Sequence, residues 1–237
     1  MAAIPLRSFP ASDGHRILHG LLVLLGLSLI LTVYACRFTA QTYTDFEHTV
    51  ISLGRTDLED YGIGFLTPAA ATGQETDKQA LSLVFSNELA DLRPNVRVVS
   101  LPAVLSAVNQ NDLAAEYQQM YRDYLETGIL EKSLLLRIGV ANDVGFLAQL
   151  SLADFHQGQR GRFGFLGLRL VDTQKATIRV FLQIWDSRTG TVAWEGTEEA
   201  NHSYDTSSER PVTFKAVAEI AARKLFEQLP GAVSAED

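Results

Sequence analysis

The side chains able to do chemistry are few and scattered. Cys36 is the only cysteine, and it ends the only long apolar run, residues 20–35 (GLLVLLGLSLILTVYA), which carries no charge. Arg7 and Arg16 lie upstream of it. A cationic start, an apolar stretch and the small Ala35 before a lone thiol predict an export signal cut at Cys36, with the thiol lipidated. Two other readings fit the same run: an uncleaved single-pass anchor, which needs ~20 apolar residues, and a buried helix. Both membrane readings place residues 37–237 outside the cytoplasm, because the upstream arginines stay inside.

Elsewhere the reactive residue types fall out of pattern. The five histidines (His15, His19, His48, His156, His202) never stand at helical metal-ligand spacing, and no second cysteine assists them, so no metal is expected. Neither a GxxxxGK[ST] phosphate loop nor a Gly-x-Ser-x-Gly elbow occurs. Gly62-Ile-Gly64 sits between a strand and a helix as a dinucleotide loop would, but Thr67 stands where the third glycine belongs. A tightly packed strand is expected there, and no cofactor. Glu195, Glu198 and Glu199 cluster late in the chain, with Glu195 and Glu199 on one strand face and Glu198 on the other. A solvated face is the default for such carboxylates, and an acid/base pair or cation site the sharper alternative. The expectation is a protein that is not an enzyme, with a hydrolase built on a dispersed triad ranked last.

Composition narrows the partners. The chain carries 20 Lys+Arg against 28 Asp+Glu. Removing the leader, with Arg7, Arg16 and Asp13, leaves 18 against 27. An acidic chain without basic clusters is a poor ligand for nucleic acid or anionic head groups, since phosphate contacts need concentrated Lys and Arg. With Cys36 acylated no disulfide can form, so the fold must rest on its apolar core.

The elements that would position these residues read as follows. Residues 36–60 have weak periodicity and are expected as a lipidated tether with one short strand or helical turn. Tyr61–Thr67 is an apolar run stopped by Pro68, a buried first strand. A helix over 77–92 shows one face with Leu81, Val84, Phe85, Leu89 and Leu92, and Val96–Val99 is a second strand. Residues 101–141 are helical, broken near Asn109–Asp112 and at Gly128. Three strands follow, over 144–154, 165–186 and 191–203. The last two are joined by the turn Asp186-Ser-Arg-Thr-Gly190, with Trp185 and Trp194 placed to meet across it. A helix over 211–229 ends at Pro230-Gly231. The order β-α-β-α-α-β-β-β-α predicts an α/β sandwich with a mixed sheet. It divides into residues 1–35 (signal peptide or anchor), 36–60 (tether), 61–230 (domain) and 231–237 (tail).

Several phrases carry a family resemblance. Val33-Tyr-Ala-Cys36 resembles the bacterial lipobox. The strand and loop GIGFLTPAAATG, the helix Glu131–Gly139 running into Val144–Leu150, the Gly-rich 156–167 and the hairpin Val180–Trp194 resemble a known set of envelope proteins. These are periplasmic lipoproteins related to the curli secretion lipoprotein and to the lipoprotein activators of peptidoglycan synthases. Their domain is also similar to the N-terminal domain of the Tol-Pal propeller protein. The resemblance covers roughly residues 61–229. It implies a cell-envelope lipoprotein that binds an envelope protein in cell-wall, secretion or surface assembly, with a homo-oligomer left open. The alternative it implies is an oligomeric secretion-channel subunit of the outer membrane. Arg37 follows Cys36 in place of the Asp associated with inner-membrane retention, which favours the outer membrane.

Two groups are candidates for partner binding. Tyr117, Tyr121 and Tyr124 form a stripe on the longest helix, either covering the sheet or facing a partner. Phe163 and Phe165 lie in the Gly-rich stretch 158–170, expected as a mobile loop or as an oligomer or membrane contact.

Overall fold

Why the chain folds as it does is clearest in its late strands, where Ile178, Val180, Leu182 and Ile184 alternate with more exposed residues and are themselves fully buried. The computed structural model describes residues 40–70, 75–165, 168–206 and 211–231. Among these the order is β1 (Gln41–Val50), α1 (Asp57–Tyr61), β2 (Ile63–Phe65), β3 (Ala69–Ala70), α2 (Glu75–Leu92), β4 (Val98–Val99), α3 (Leu101–Gln110), α4 (Ala114–Thr127) and α5 (Lys132–Asn142). Then come β5 (Phe146–Phe165), β6 (Leu168–Asp186), β7 (Thr191–Thr206) and α6 (Phe214–Glu227). The strands form one mixed sheet, β1-β7-β6-β5-β2-β4, with β3 beside β5. Along β1-β7-β6-β5 each strand is antiparallel to its neighbour, while β2 and β3 run parallel to β5 and β4 parallel to β2. The mixed α/β sandwich is therefore as expected.

Helices pack on both faces, and the alternation of β5 and β6 divides the core between them. Phe146, Ala148, Leu150 and Leu152 join a cluster with Phe85 and Leu89 of α2 and Val217, Ala221 and Leu225 of α6. Leu147 and Trp185 join the other cluster, with Val104 of α3, Met120 of α4 and Leu134 and Ile138 of α5. Local chemistry sets the ends. Gly128 caps α4 in the left-handed region, its N–H on the Tyr124 carbonyl at 2.8 Å. The hydroxyl of Thr213 accepts from the N–H of Ala216 to start α6. Gly64 is closely packed, since an added Cβ would stand 3.2 Å from Val104 and 3.3 Å from Leu147 and press on both. A packed strand is what the Gly62-Ile-Gly64 phrase encodes.

Three expectations are corrected. Residues 41–50 are not tether: they form a ten-residue strand paired with β7 throughout, and Leu53 and Leu58 beyond it are buried in the core. This strand opens the compact unit Ala40–Asp237. Its edge strand is mostly exposed on both faces, so it lacks the alternation that announces a half-buried strand. Trp185 and Trp194 do not meet. A register shift after Ile184 sends them to opposite faces, one into each cluster. The stretch 156–170 is no loop either, because β5 and β6 pair through it to Phe165↔Leu168, with irregularities at Gly161/Phe163 and Phe163/Gly164. Cys36 and the apolar leader lie outside the described residues, within which no helix is long and apolar enough to cross a membrane.

Candidate partner-binding surface

The tyrosine stripe is spent largely inside the fold. Tyr117 and Tyr124 keep only 8% and 7% of their surface exposed. The Tyr117 hydroxyl accepts from the N–H of Thr67 and donates to its Oγ1, both at 2.9 Å. Tyr121 donates to the Pro68 carbonyl at 2.9 Å and accepts from Lys78 at 3.4 Å. The Tyr124 hydroxyl lies 3.4 Å from Ser151 Oγ and from Gln183 Oε1. Burial raises the pKa of both Tyr117 and Tyr124, so both stay neutral donors. Tyr117 and Tyr121 tie the turn after β2 to α4, and Tyr124 ties α4 to β5 and β6. Tyr117 and Tyr124 are thus corrected from partner surface to core, and the half-buried Tyr121 keeps only an edge outside. Phe163 and Phe165 lie on β5, with backbones opposite Val171 and Leu168. Their side chains lie outside the described residues.

What the fold leaves open is half of one sheet face. Helices α3, α4 and α5 cover the part carrying Leu147 and Trp185. Further along, the same face of β6, β7 and β1 is lined by Arg179, Phe181, Glu195, Thr197, Glu199, Tyr43, Asp45 and Glu47, all half-buried or exposed. Arg179 grips Glu199 through Nε at 3.0 Å and Nη2 at 2.5 Å, which holds that carboxyl below its ordinary range and raises the guanidinium. Gln183 reaches Glu195 at 3.3 Å. Asp45 stands directly opposite Glu199 and Glu47 opposite Thr197. The result is a flat, polar and mainly acidic platform that ends at the free side of β1.

Glu198, between these acids, departs from the solvated reading. Its register partners are Val180 and Phe46, so its side chain points to the α6 side of the sheet, where it is 0% exposed. Neither carboxylate oxygen has a hydrogen-bond partner, and nor does the nearby indole N–H of Trp194. Burial pushes its pKa up to about 7, with Asp45 and Glu227 adding to the shift and Lys224 opposing it. Lys224 is held instead by Glu227 at 2.8 Å. A lone carboxyl so placed can take up and release a proton near neutrality. No His/Cys/Asp/Glu group among the described residues has metal-binding geometry. Strand parity was the available signal: 194, 198 and 200 share a face, and Trp194 and Ala200 are core types.

A smaller cleft lies at the opposite end, lined by Tyr61, Arg97, Leu136, Val140, Asp143 and Arg188. Val140 is 74% exposed. The Arg188 guanidinium stacks 4.0 Å from the Tyr61 ring centre and binds Asp186 at 2.8 and 3.0 Å. Although burial works against it, those bonds keep the Asp186 carboxyl below its ordinary pKa. Arg97 pairs with Asp143. Both arginines are already paired, and the cleft adds the exposed carboxylate of Asp60 to its apolar lining.

No protein-family model matches the chain, and no curated protein matches it. Solved structures resemble it in outline. The PelC dodecamer from Paraburkholderia phytofirmans is 14% identical at a TM-score of 0.41, over 79% of this chain and 98% of that one. Lipoprotein GNA1162 from Neisseria meningitidis is 13% identical at 0.42, over 71% and 96%. The LpoB C-terminal domain from Salmonella enterica is 14% identical at 0.34, over 63% and 84%. Each is a protein to which this chain is similar at the level of general outline.

Proposed function

We propose that this chain is a non-enzymatic protein of the bacterial cell envelope, tethered through a lipid on Cys36, that docks another envelope protein in cell-wall, secretion or surface assembly. Residues 20–36 supply the address, and Arg37 favours the outer membrane over the inner. The observation that carries the docking role is the uncovered half-face of β6, β7 and β1. An antiparallel sheet can keep such a polar half-face in water, and here it lies open to a partner across three adjacent strands. Their acidic, flat chemistry suits a protein surface better than a small-molecule pocket. A photo-crosslinking residue placed at Thr197 in cells should give one discrete adduct, identified by mass spectrometry. The same residue at the exposed Gln118 of α4 should not. Equal labelling at both positions, or none at Thr197, overturns the reading.

A second reading is favoured by the hairpin itself. β5 and β6, of 20 and 19 residues, continue past the rows they share with β7 and β1. Beyond its last row with β7, at Asp172↔Thr206, β6 adds only Leu168–Val171, fewer than the ~9–11 residues of a membrane-crossing strand, so a ring-forming channel subunit would need the β7-paired rows as well. Phe163→Ser with Phe165→Ser tests it. A channel loses a large detergent-resistant oligomer and its conductance, whereas a docking module keeps both its thermal stability and its Thr197 adduct. Wild-type protein that is monomeric in detergent and electrically silent removes the channel.

A further inference from the structure

β1 is the free margin of the sheet. β7 pairs with all ten of its residues, from Gln41↔Ser203 to Val50↔Trp194, without a register shift, and no described strand lies on its other side. Alternate residues of such a strand aim N–H and C=O outward. Natural edges are blunted by proline, lysine, a bulge or short length, and QTYTDFEHTV has none of these. It has charge of one sign instead. Asp45 and Glu47 are two apart, so both project from the outer face. Both are exposed, and neither pairs with a cation among the described residues. On β7 behind them stand Glu199 and Glu195, of which only Glu199 is neutralised, by Arg179.

Those charges also decide what the edge refuses. A two-fold pairing of two β1 edges sets outer face beside outer face, so odd residues meet odd residues. Registers centred on Asp45, Phe46 or Glu47 then oppose Asp45 to Asp45, Asp45 to Glu47, or Glu47 to Glu47. Like charges directly opposite are destabilising. The edge therefore rejects its own copy at its best overlaps and favours a strand of the other sign.

We propose that β1 is a docking edge for an extended segment of a partner protein that carries Lys or Arg at alternate positions. The segment adds a strand beside β1, its backbone satisfying the outward N–H and C=O groups and its cations standing against Asp45 and Glu47. Its biological meaning rests on the docking role proposed above, but the edge can be tested alone.

Full-length protein in nonionic detergent is titrated with two labelled, end-blocked peptides of about ten residues, long enough for one strand. Both alternate Val and Thr, one with three alternate Lys and the other with three alternate Glu. Fluorescence anisotropy should show binding of the Lys peptide only, weakening as salt is raised. Asp45→Asn with Glu47→Gln should weaken it about fivefold, with an unchanged melting curve showing that the variant folds. Amide hydrogen exchange should show alternate amides within 41–50 gaining protection on peptide addition. Equal binding of both peptides, or protection elsewhere, overturns the proposal. Concentration-dependent protection of β1 without peptide would show a second copy on the edge and also overturns it. A discrete Thr197 adduct in cells together with failed peptide binding would sink this edge while leaving the docking role. Peptide binding without an adduct would do the reverse.

Discussion

Replacing Glu198 by Gln isolates the most unusual side chain of the fold. The buried carboxyl has its pKa pushed from 4.5 up to about 7, while in the unfolded chain it titrates near its ordinary value. Between pH 4.5 and 7 the folded chain thus keeps a proton that the unfolded chain has released. The stability this group contributes is fully present below pH 4.5 and falls as pH rises. The decline is about 1.4 kcal/mol per unit, and by pH 7 about 3 kcal/mol is gone. Gln has nearly the same shape and does not titrate. Urea unfolding followed by circular dichroism from pH 4.5 to 8 should give near-equal stabilities at the acid end. At pH 8 the Glu198→Gln protein should be the more stable by up to about 3 kcal/mol, roughly 6–12 °C in Tm for a domain of this size. Lys224, which opposes the shift, offers a control: Lys224→Met should extend the wild-type decline to higher pH. Parallel pH curves for wild type and Glu198→Gln would refute the reasoning, because the carboxyl would then be hydrated or paired in solution.

Three further outcomes are expected. Tyr117→Phe leaves the Thr67 N–H unsatisfied and should lower stability by about 1–3 kcal/mol in urea titrations without altering Thr197 crosslinking. Gly139→Ala would drive a Cβ into Ser187 Oγ and to 2.8 Å from the Val144 carbonyl, so a loss of about 1–3 kcal/mol is expected by thermal melting. Ser187→Gly should restore only part of it, since the carbonyl stays in place. Mass spectrometry of membrane-extracted protein should find an acylated peptide beginning at Cys36, and Cys36→Ala should abolish it. An intact leader on the mature chain would leave the single-pass anchor.

How much of this was legible in the sequence depended on the range of the physics involved. The amphipathic α2, the capped α4 with its break at Asn109–Asp112, and the Asp186–Gly190 turn are set by neighbours within a few residues, and their positions follow from the sequence. β1 is not set locally. With solvent on both faces, nothing in QTYTDFEHTV marks one side as inner, and only pairing with a strand about 150 residues later defines it. Gly161 and Gly164 read as places for the chain to turn sharply, yet register shifts absorb the irregularity there and the ladder continues. Glu198 shows the same limit in the candidate site. Its neighbours Glu195, Thr197 and Glu199 spell a wet strand, and its burial comes from α6 folding back over it. The tyrosine spacing was visible, but which rings a sheet would cover was not.

The strand status of residues 41–50 also sets a length. Gln41 follows Cys36 by five positions, and five extended residues reach at most about 17 Å. Gln41 shares a row with Ser203, Lys175 and Gly158, and from that row β5 continues seven residues to Phe165, about 23 Å. The hairpin points to the end of the sheet at which the chain enters, and it overshoots that entry by more than the slack available. Were Cys36 acylated as proposed, the leash would be shorter than the longest projection of the Ala40–Asp237 unit. That unit would ride close above the lipid with little freedom to tumble, and it would meet only those partners that come down to its height.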